Sequence, residues 1–149
     1  MTTQNRFLEA FIIEAHDLLA EIDQDALSLE SGAPSQETVN KLFRAFHTIK
    51  GSGGVCGLDA VVEFTNHIEN LLDLVRDGKI PVSPPLIDLV LRSEDQIAAL
   101  LGVEQGEAPP DPSSTEKLIA DLCAHAGLPV TYSPAKKEKR KDTEDVFLF

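Results

Sequence analysis

Apolar residues recur at steps of three and four along most of this 149-residue chain, and Gly or Pro interrupts the pattern at intervals. Such spacing places apolar side chains on one face of an α-helix, whereas a half-buried strand needs every second residue to be apolar. The pattern predicts helices over about 5–30, 35–51, 58–77, 83–102 and 113–126. Four amphipathic helices joined by short loops predict an all-α fold, an antiparallel four-helix bundle with an additional short C-terminal helix.

Capping residues and helix breakers refine these boundaries. Ser35 and Ser83 are predicted N-caps, because a Ser side chain accepts a hydrogen bond from the first turn of a helix. The run Gly51-Ser52-Gly53-Gly54, with Gly57 after it, predicts that the second helix ends near these glycines, because Gly is costly inside a helix. We assign residues 1–130 to one domain and predict a charged linker or flexible tail over 131–149, which has an apolar end.

Charge and composition narrow the classes of partner. The chain has 25 acidic and 13 basic side chains, a net charge of −12. Such a chain repels phosphate backbones and anionic lipids, so we expect neither nucleic-acid binding nor a membrane surface as partner. The sequence has no run of 18 apolar residues, so we expect no transmembrane helix. Two isolated cysteines, Cys56 and Cys123, are too few for a disulfide framework, which favours a reducing cytoplasm.

His47 differs from the other three histidines in its neighbours. On a helical wheel it lies at the flank of the second apolar stripe, with Lys50 three and Gly51 four residues further on. Gly54 lies nearly in line with it, two turns along. The imidazole therefore has an ammonium group beside it and no side chain above it. This position gives another macromolecule open access, although a boundary His beside a solvated Lys has the same pattern.

The third predicted helix supplies a carboxylate, Glu69, at the edge of its own apolar stripe. Glu69 considered alone reads as a solvated surface residue, but an antiparallel neighbour can bring it to His47. A carboxylate that accepts from one ring nitrogen fixes the tautomer and leaves the other nitrogen with its lone pair. Lys50 would then screen the charge of an arriving phosphoryl group. These three residue types suit phosphoryl acceptance.

Three stretches carry a family resemblance that covers about residues 5–126. The histidine phosphotransfer signature H-x-x-K-G-x5-G is similar to the stretch from Phe43 through His47 and Lys50 to Gly51, followed by Gly57. The later stretch Glu69-Asn70-Leu71-Leu72-Asp73, followed by Gly78, resembles the N-terminal phosphotransfer domain of the bacterial chemotaxis kinase CheA. The opening segment Phe7-Leu8-Glu9-Ala10-Phe11-Ile12-Ile13-Glu14-Ala15 is also similar to the first helix of that domain.

The resemblance implies that His47 is phosphorylated, with Lys50 and Glu69 beside it. It implies a phosphotransfer domain of a histidine kinase, without an ATP-binding catalytic domain in this chain and without a cofactor of its own. The partners it implies are a CheA-type kinase catalytic domain and a CheY-like response regulator, which use ATP and Mg²⁺. CheA domains often have T-H-x-x-E before this Glu, whereas here Asn66 holds the usual His position and His67 is out of register. Asn66 is therefore a candidate accessory hydrogen-bonding group.

We predict that a response regulator docks on Thr48, Gly51 and Gly54, because these residues surround His47 on the exposed side of the second helix. The alternative is a non-phosphorylated helical adaptor that uses the same face, but an adaptor needs no His with flanking Lys and Gly. A metal-binding bundle would need Glu-x-x-His pairs on facing helices, and none occurs. We therefore expect no metal site.

Overall fold

A computed structural model describes residues 3–32 and 35–129 of the chain, and these residues contain helices, turns and loops but no strand. The helices are α1 (Thr3–Ser31), α2 (Gln36–Val55), α3 (Asp59–Arg76), α4 (Pro84–Val103) and α5 (Pro112–Ala126). All five predicted helices are confirmed. The predicted tail over 131–149 lies outside the described residues.

The first four helices form a closed bundle. Helices α1 and α3 each pack against both α2 and α4, and α5 packs on the side of the bundle against α3 and α4. Lys41 near the start of α2 pairs with Asp25 near the end of α1, with 3.4 Å between Nζ and Oδ1. Gln36, the first residue of α2, donates to the backbone oxygen of Arg76 at the end of α3. Neighbouring helices therefore run antiparallel, which confirms the predicted fold class.

The core contains the apolar stripes that the sequence pattern identifies. Every helix contributes one buried face, and burial of these side chains is the main favourable term in the folding of a bundle. The most completely buried large side chains are Ile22, Leu42, Phe46, Ile49, Ile68, Leu71, Leu72, Leu86, Ile97, Leu101, Ile119 and Leu122. Ser35 and Ser83 cap α2 and α4 as predicted, accepting from the backbone N–H groups of Thr38 and Leu86.

The helix α2 continues through the whole glycine run and ends one residue after it, at Val55. Gly53 is buried, and a Cβ atom built on it would lie 3.3 Å from Val61 Cγ1 and 3.6 Å from Phe11 Cζ. The missing side chain lets α2 approach α3 and α1 closely, so packing offsets the unfavourable helix propensity of glycine. The last turn of α2 therefore extends the surface next to His47 by one rigid helical turn.

A pair of carboxyl groups, Asp23 on α1 and Glu94 on α4, lies where these two helices pack together. Burial, then hydrogen bonding to Asp23, then the charges of Asp23 and Asp95 raise the pKa of Glu94 to about 7. Two carboxyl groups in such contact share one proton more readily than they ionise together. The protonated form of Glu94 is therefore favoured in the folded state.

This pair predicts that the domain loses stability as the pH rises. Because the pKa of Glu94 is raised on folding, its contribution is complete below its ordinary pKa of 4.5 and disappears as the pH passes about 7. At pH 8, Glu94→Gln should raise the free energy of unfolding by about 1 kcal/mol, a figure reduced for solvent screening. Urea unfolding between pH 5 and 8 measures the difference, which should shrink toward pH 5. Asp17→Asn at an exposed position of α1 should show no such trend, and an equal trend in both variants would contradict the assignment.

Candidate functional site

His47 on α2 and Glu69 on α3 face each other across the interface between these two helices. The imidazole is largely exposed, with 64% of the side chain accessible, whereas only 8% of the Glu69 side chain is accessible. Nδ1 of His47 forms a short hydrogen bond with Oε2 of Glu69. A buried carboxylate thus holds one nitrogen of an exposed ring.

Lys50 completes the contacts of this carboxylate. Its Nζ donates to the second oxygen of Glu69, Oε1, and lies 3.4 Å from Oδ1 of Asn66. The Lys50 side chain is 24% accessible, so its ammonium group still reaches solvent beside His47. Glu69 therefore bridges the imidazole and the ammonium group, and the structure brings all four residues His47, Lys50, Asn66 and Glu69 together.

This arrangement determines which ring nitrogen is available for chemistry. An ionised carboxylate only accepts hydrogen bonds, so Nδ1 of a neutral His47 carries the proton. The other nitrogen, Nε2, then has its lone pair free on an exposed ring. A nucleophilic nitrogen beside a fixed cation can accept an electrophilic group that carries negative charge.

The surface of α2 around His47 carries few side-chain atoms. Thr48, Gly51 and Gly54 are exposed. A Cβ atom added to Gly51 would meet nothing within 4 Å, and one added to Gly54 would meet only Val62 Cγ2, at 3.7 Å. A stretch of helix with few side-chain atoms therefore lies beside the imidazole, and it contains the three residues of the predicted docking surface.

The other histidines lie away from this cluster. His16 is exposed on α1, and His125 lies in the last turn of α5. His67 is half-buried, with Nδ1 3.9 Å from Sγ of Cys123 on α5, a helix that does not pack against α2. Burial lowers the pKa of His67, against a smaller opposing effect of Glu63. The shift in register that the sequence shows therefore places His67 in the α3–α5 interface.

Two residues that the sequence analysis did not select also lie at the site. The ring of Phe43 stacks against the imidazole of His47, with 6.0 Å between ring centroids and an interplanar angle of 8°. The guanidinium Cζ of Arg76 lies 3.9 Å from the centroid of Phe43. Phe43 is four residues before His47 and Arg76 is seven after Glu69, so helical spacing is the signal that could have identified them.

The part of the chain that matches a known family is nearly the same as the helical part. Residues 6–124 match the Hpt domain family. The chain belongs to this family. This Hpt domain is 36% identical over 122 residues to chemotaxis protein CheA of Rhizobium meliloti, an overlap of 82% of this chain and 16% of the relative. It is 36% identical over 101 residues to the sensor histidine kinase CheAY of Helicobacter pylori, covering 68% of this chain and 13% of that protein. The chain thus spans less than a fifth of the length of these relatives.

Solved structures show the same fold. The Hpt domain matches the phosphorylated P1 domain of CheA3 in complex with CheY6 from R. sphaeroides with a TM-score of 0.74 and 25% identity, covering 82% of this chain and 96% of that one. It matches the CheA phosphotransferase domain from Thermotoga maritima with a TM-score of 0.65 and 27% identity, covering 70% of this chain and 99% of that one. The likeness covers nearly the whole of each solved domain.

Two further properties concern metals and membranes. In the part of the chain that the structure describes, no three His, Cys, Asp or Glu side chains are placed to hold a metal ion. None of the helices described is both long and apolar enough to cross a membrane.

Proposed function

We propose that this Hpt domain carries a phosphoryl group on His47 between the ATP-dependent catalytic domain of a histidine kinase and an aspartate of a response regulator in chemotaxis signalling. The observation that carries the proposal is the exposed imidazole whose Nδ1 is held by the buried Glu69. This contact prepares Nε2 as the nucleophile before any partner arrives. The family membership and the similarity to CheA proteins support the same function.

In the first transfer, the lone pair of Nε2 attacks the γ-phosphorus of ATP. The N–P bond forms, and the bond from phosphorus to the bridging oxygen breaks with its electron pair leaving on ADP. Positive charge develops on the imidazole ring, and Glu69 stabilises it by accepting the hydrogen bond from Nδ1–H. In the second transfer, an aspartate oxygen of the regulator attacks phosphorus, and the electron pair of the N–P bond returns to Nε2.

Lys50 has an electrostatic role in both transfers. Its ammonium group lies beside the imidazole and is held there by Glu69 and Asn66. A phosphoryl group on Nε2 brings negative charge to this surface, and a neighbouring cation stabilises that charge. Asn66, one turn before Glu69 on α3, supports Lys50 and is therefore the accessory residue of the site.

The partners of the domain bind the ATP and Mg²⁺ that the two transfers use. We assign ATP and Mg²⁺ to a CheA-type catalytic domain and Mg²⁺ to a CheY-like response regulator, and we assign the domain to the cytoplasm. The solved complex of a phosphorylated CheA3 P1 domain with CheY6 supports the regulator as partner. The net charge of −12 disfavours nucleic acid as an alternative.

The function is tested by incubating the chain with Mg²⁺-ATP and a separately purified CheA-type catalytic domain. We expect one phosphate per chain, labile in acid and stable in base, as a phosphorus–nitrogen bond requires. Adding a CheY-like regulator should then remove the phosphate from the chain. Absence of the label with a kinase domain that phosphorylates its own Hpt domain would overturn the proposal.

The proposed docking surface predicts a specific effect at Gly54. A Leu side chain at this position would project from the exposed surface two turns from His47 and hinder the close approach that in-line transfer requires. Gly54→Leu should slow phosphotransfer to the regulator by about tenfold to a hundredfold. The melting temperature should not fall, because Leu is the better helix former by about 0.8 kcal/mol.

Gly54→Ala is the matched control, because it improves helix propensity with a much smaller side chain. Its added Cβ would lie 3.7 Å from Val62 Cγ2, an ordinary contact. We expect transfer from this variant to be close to that of the wild type. Equal transfer rates for the Leu and Ala variants would place the docking surface elsewhere. An unfolded Leu variant would mean that Gly54 is needed for the fold of the helix and not for docking.

A further inference from the structure

The hydrogen bond to Glu69 does not by itself fix the orientation of the His47 ring plane. Among the described residues, the imidazole has a single hydrogen bond, from Nδ1 to Glu69, and most of its surface is exposed. One hydrogen bond tolerates a range of angles, so it leaves the ring able to tilt. The χ2 torsion of histidine is broad and roughly twofold, so the side chain sets this plane only weakly. In-line attack by Nε2 requires a defined plane.

Phe43 supplies a flat surface parallel to that plane. It lies one turn before His47 on α2, and the two rings stack with 6.0 Å between centroids and 8° between planes. Aromatic rings at this separation attract each other beyond the area they bury. Phe43 is half-buried and packs against the core, so its own ring is supported from the inner side.

Arg76 supports the ring of Phe43 with its guanidinium group. Its Cζ lies 3.9 Å from the ring centroid, well within the range of a cation–π contact. Nη2 donates to Oδ1 of Asp73 at 2.6 Å, and Nε2 of Gln36 donates to the backbone oxygen of Arg76 at 3.0 Å. The guanidinium group is therefore anchored on α3, and its backbone is joined to the first turn of α2.

We propose that Arg76 and Phe43 are positioning residues for phosphoryl transfer at His47. Arg76 holds the ring of Phe43, and Phe43 holds the plane of the imidazole while Glu69 holds Nδ1. Two perpendicular restraints then direct Nε2 toward the incoming phosphorus. This inference rests on the proposed function of His47 and adds no group that touches the phosphoryl group, so the bonds made and broken are those already described.

The first test replaces Arg76 and observes His47. Arg76→Gln keeps Phe43 in the sequence but removes the cation above its ring. We expect the NMR shifts of the His47 ring protons to change, because the ring current of Phe43 no longer acts from a fixed place. With this domain as the varied substrate, kcat for phosphorylation should fall by about twofold to tenfold, the size of such ring and cation contacts, while KM changes little. Arg76→Lys, which retains a cation, should recover part of both effects.

Arg92→Gln is the matched control for charge. Arg92 lies on α4 and pairs with Asp88 of that helix and Asp121 of α5, with N–O distances of 3.7 and 3.0 Å. The variant loses the same charge from a different face of the bundle. Both the His47 ring shifts and kcat should match those of the wild type.

The second test replaces Phe43 in two ways. Phe43→Tyr keeps an aromatic face and should keep the wild-type rate. Phe43→Leu keeps an apolar side chain of similar bulk and should be slower by about threefold to tenfold, the value of an aromatic pair. If the Leu variant does not fold, Arg76→Gln decides, because that side chain is partly exposed and outside the core.

The proposal is overturned if Arg76→Gln leaves either the His47 ring shifts or kcat unchanged, or if Phe43→Leu is as fast as Phe43→Tyr. The ring shifts are measured on the unphosphorylated domain. A wild-type domain that takes no phosphate would therefore contradict the function of His47 while the effect of Arg76 on its ring is still measured.

Discussion

His47→Gln is expected to abolish phosphorylation of this domain without unfolding it. The Gln amide has no nitrogen lone pair of imidazole basicity, so no N–P bond can form at this position. The side chain of His47 is 64% accessible and contributes little to the core. Surface substitutions usually change the free energy of unfolding by no more than about 0.5 kcal/mol. The acid-labile phosphate and the melting temperature, measured on the same preparation, show both effects.

The remaining histidines provide the controls for this experiment. His16→Gln, His67→Gln and His125→Gln should each take up phosphate at the wild-type rate, because none of these side chains reaches the cluster of Glu69 and Lys50. His67→Gln is expected to lower the melting temperature slightly, because the His67 side chain packs against Cys123 between α3 and α5. Full labelling of His47→Gln would move the phosphorylation site to another residue.

The helices could be predicted from the sequence because each of them buries one continuous stripe. Apolar periodicity, Ser caps and helix breakers depend on residues that are close together in the chain, so the positions of the helices can be predicted from short segments of sequence. The end of α2 could not be predicted in the same way. The helix passes through four consecutive residues that include three glycines because Gly53 lies against Val61 and Phe11, and these contacts join residues far apart in the chain.

The site shows the same division between local and tertiary information. Spacing placed His47, Lys50 and Glu69 at the edges of their stripes, but Glu69 considered alone read as a solvated carboxylate. Its burial follows from the packing of α2 on α3, with Lys50 lying over it. The contact of Arg76 with Phe43 depends on the same packing and on the antiparallel register of the two helices. Helical spacing places each of the two residues on the same face as His47 or Glu69, but the pattern of one helix does not show that the two side chains meet.

Glu69 is the residue whose replacement should have the second largest effect on phosphorylation. Its two oxygens have separate partners, Nδ1 of His47 and Nζ of Lys50. Glu69→Gln retains the size of the side chain but offers one acceptor oxygen and one donor nitrogen in place of two acceptors. The single amide oxygen can replace only one of the two carboxylate oxygens as acceptor for Nδ1–H of His47 and Nζ of Lys50. The positive charge that develops on the imidazole also loses its counter-charge.

We expect phosphorylation of Glu69→Gln to be slower by about tenfold to a hundredfold, because a hydrogen bond to a charged group is worth about 1.5–3 kcal/mol. The neutral imidazole should also cease to be a single tautomer, since a neutral amide fixes Nδ1–H less strongly than a carboxylate. Nitrogen-15 NMR of the His47 ring measures the fraction with the proton on Nε2. That fraction is unreactive because its nucleophilic lone pair is occupied.

Glu37→Gln is the control, because it removes the same charge from an exposed position in the first turn of α2. It should leave the rate and the tautomer unchanged. The melting temperature of Glu69→Gln should change little, because both His47 and Lys50 can turn toward solvent when the carboxylate is lost. A large loss of stability with an unchanged tautomer would make Glu69 a structural residue. A slower reaction with a mixed tautomer and a stable fold would show that the carboxylate acts on Nε2 through the opposite nitrogen of the ring.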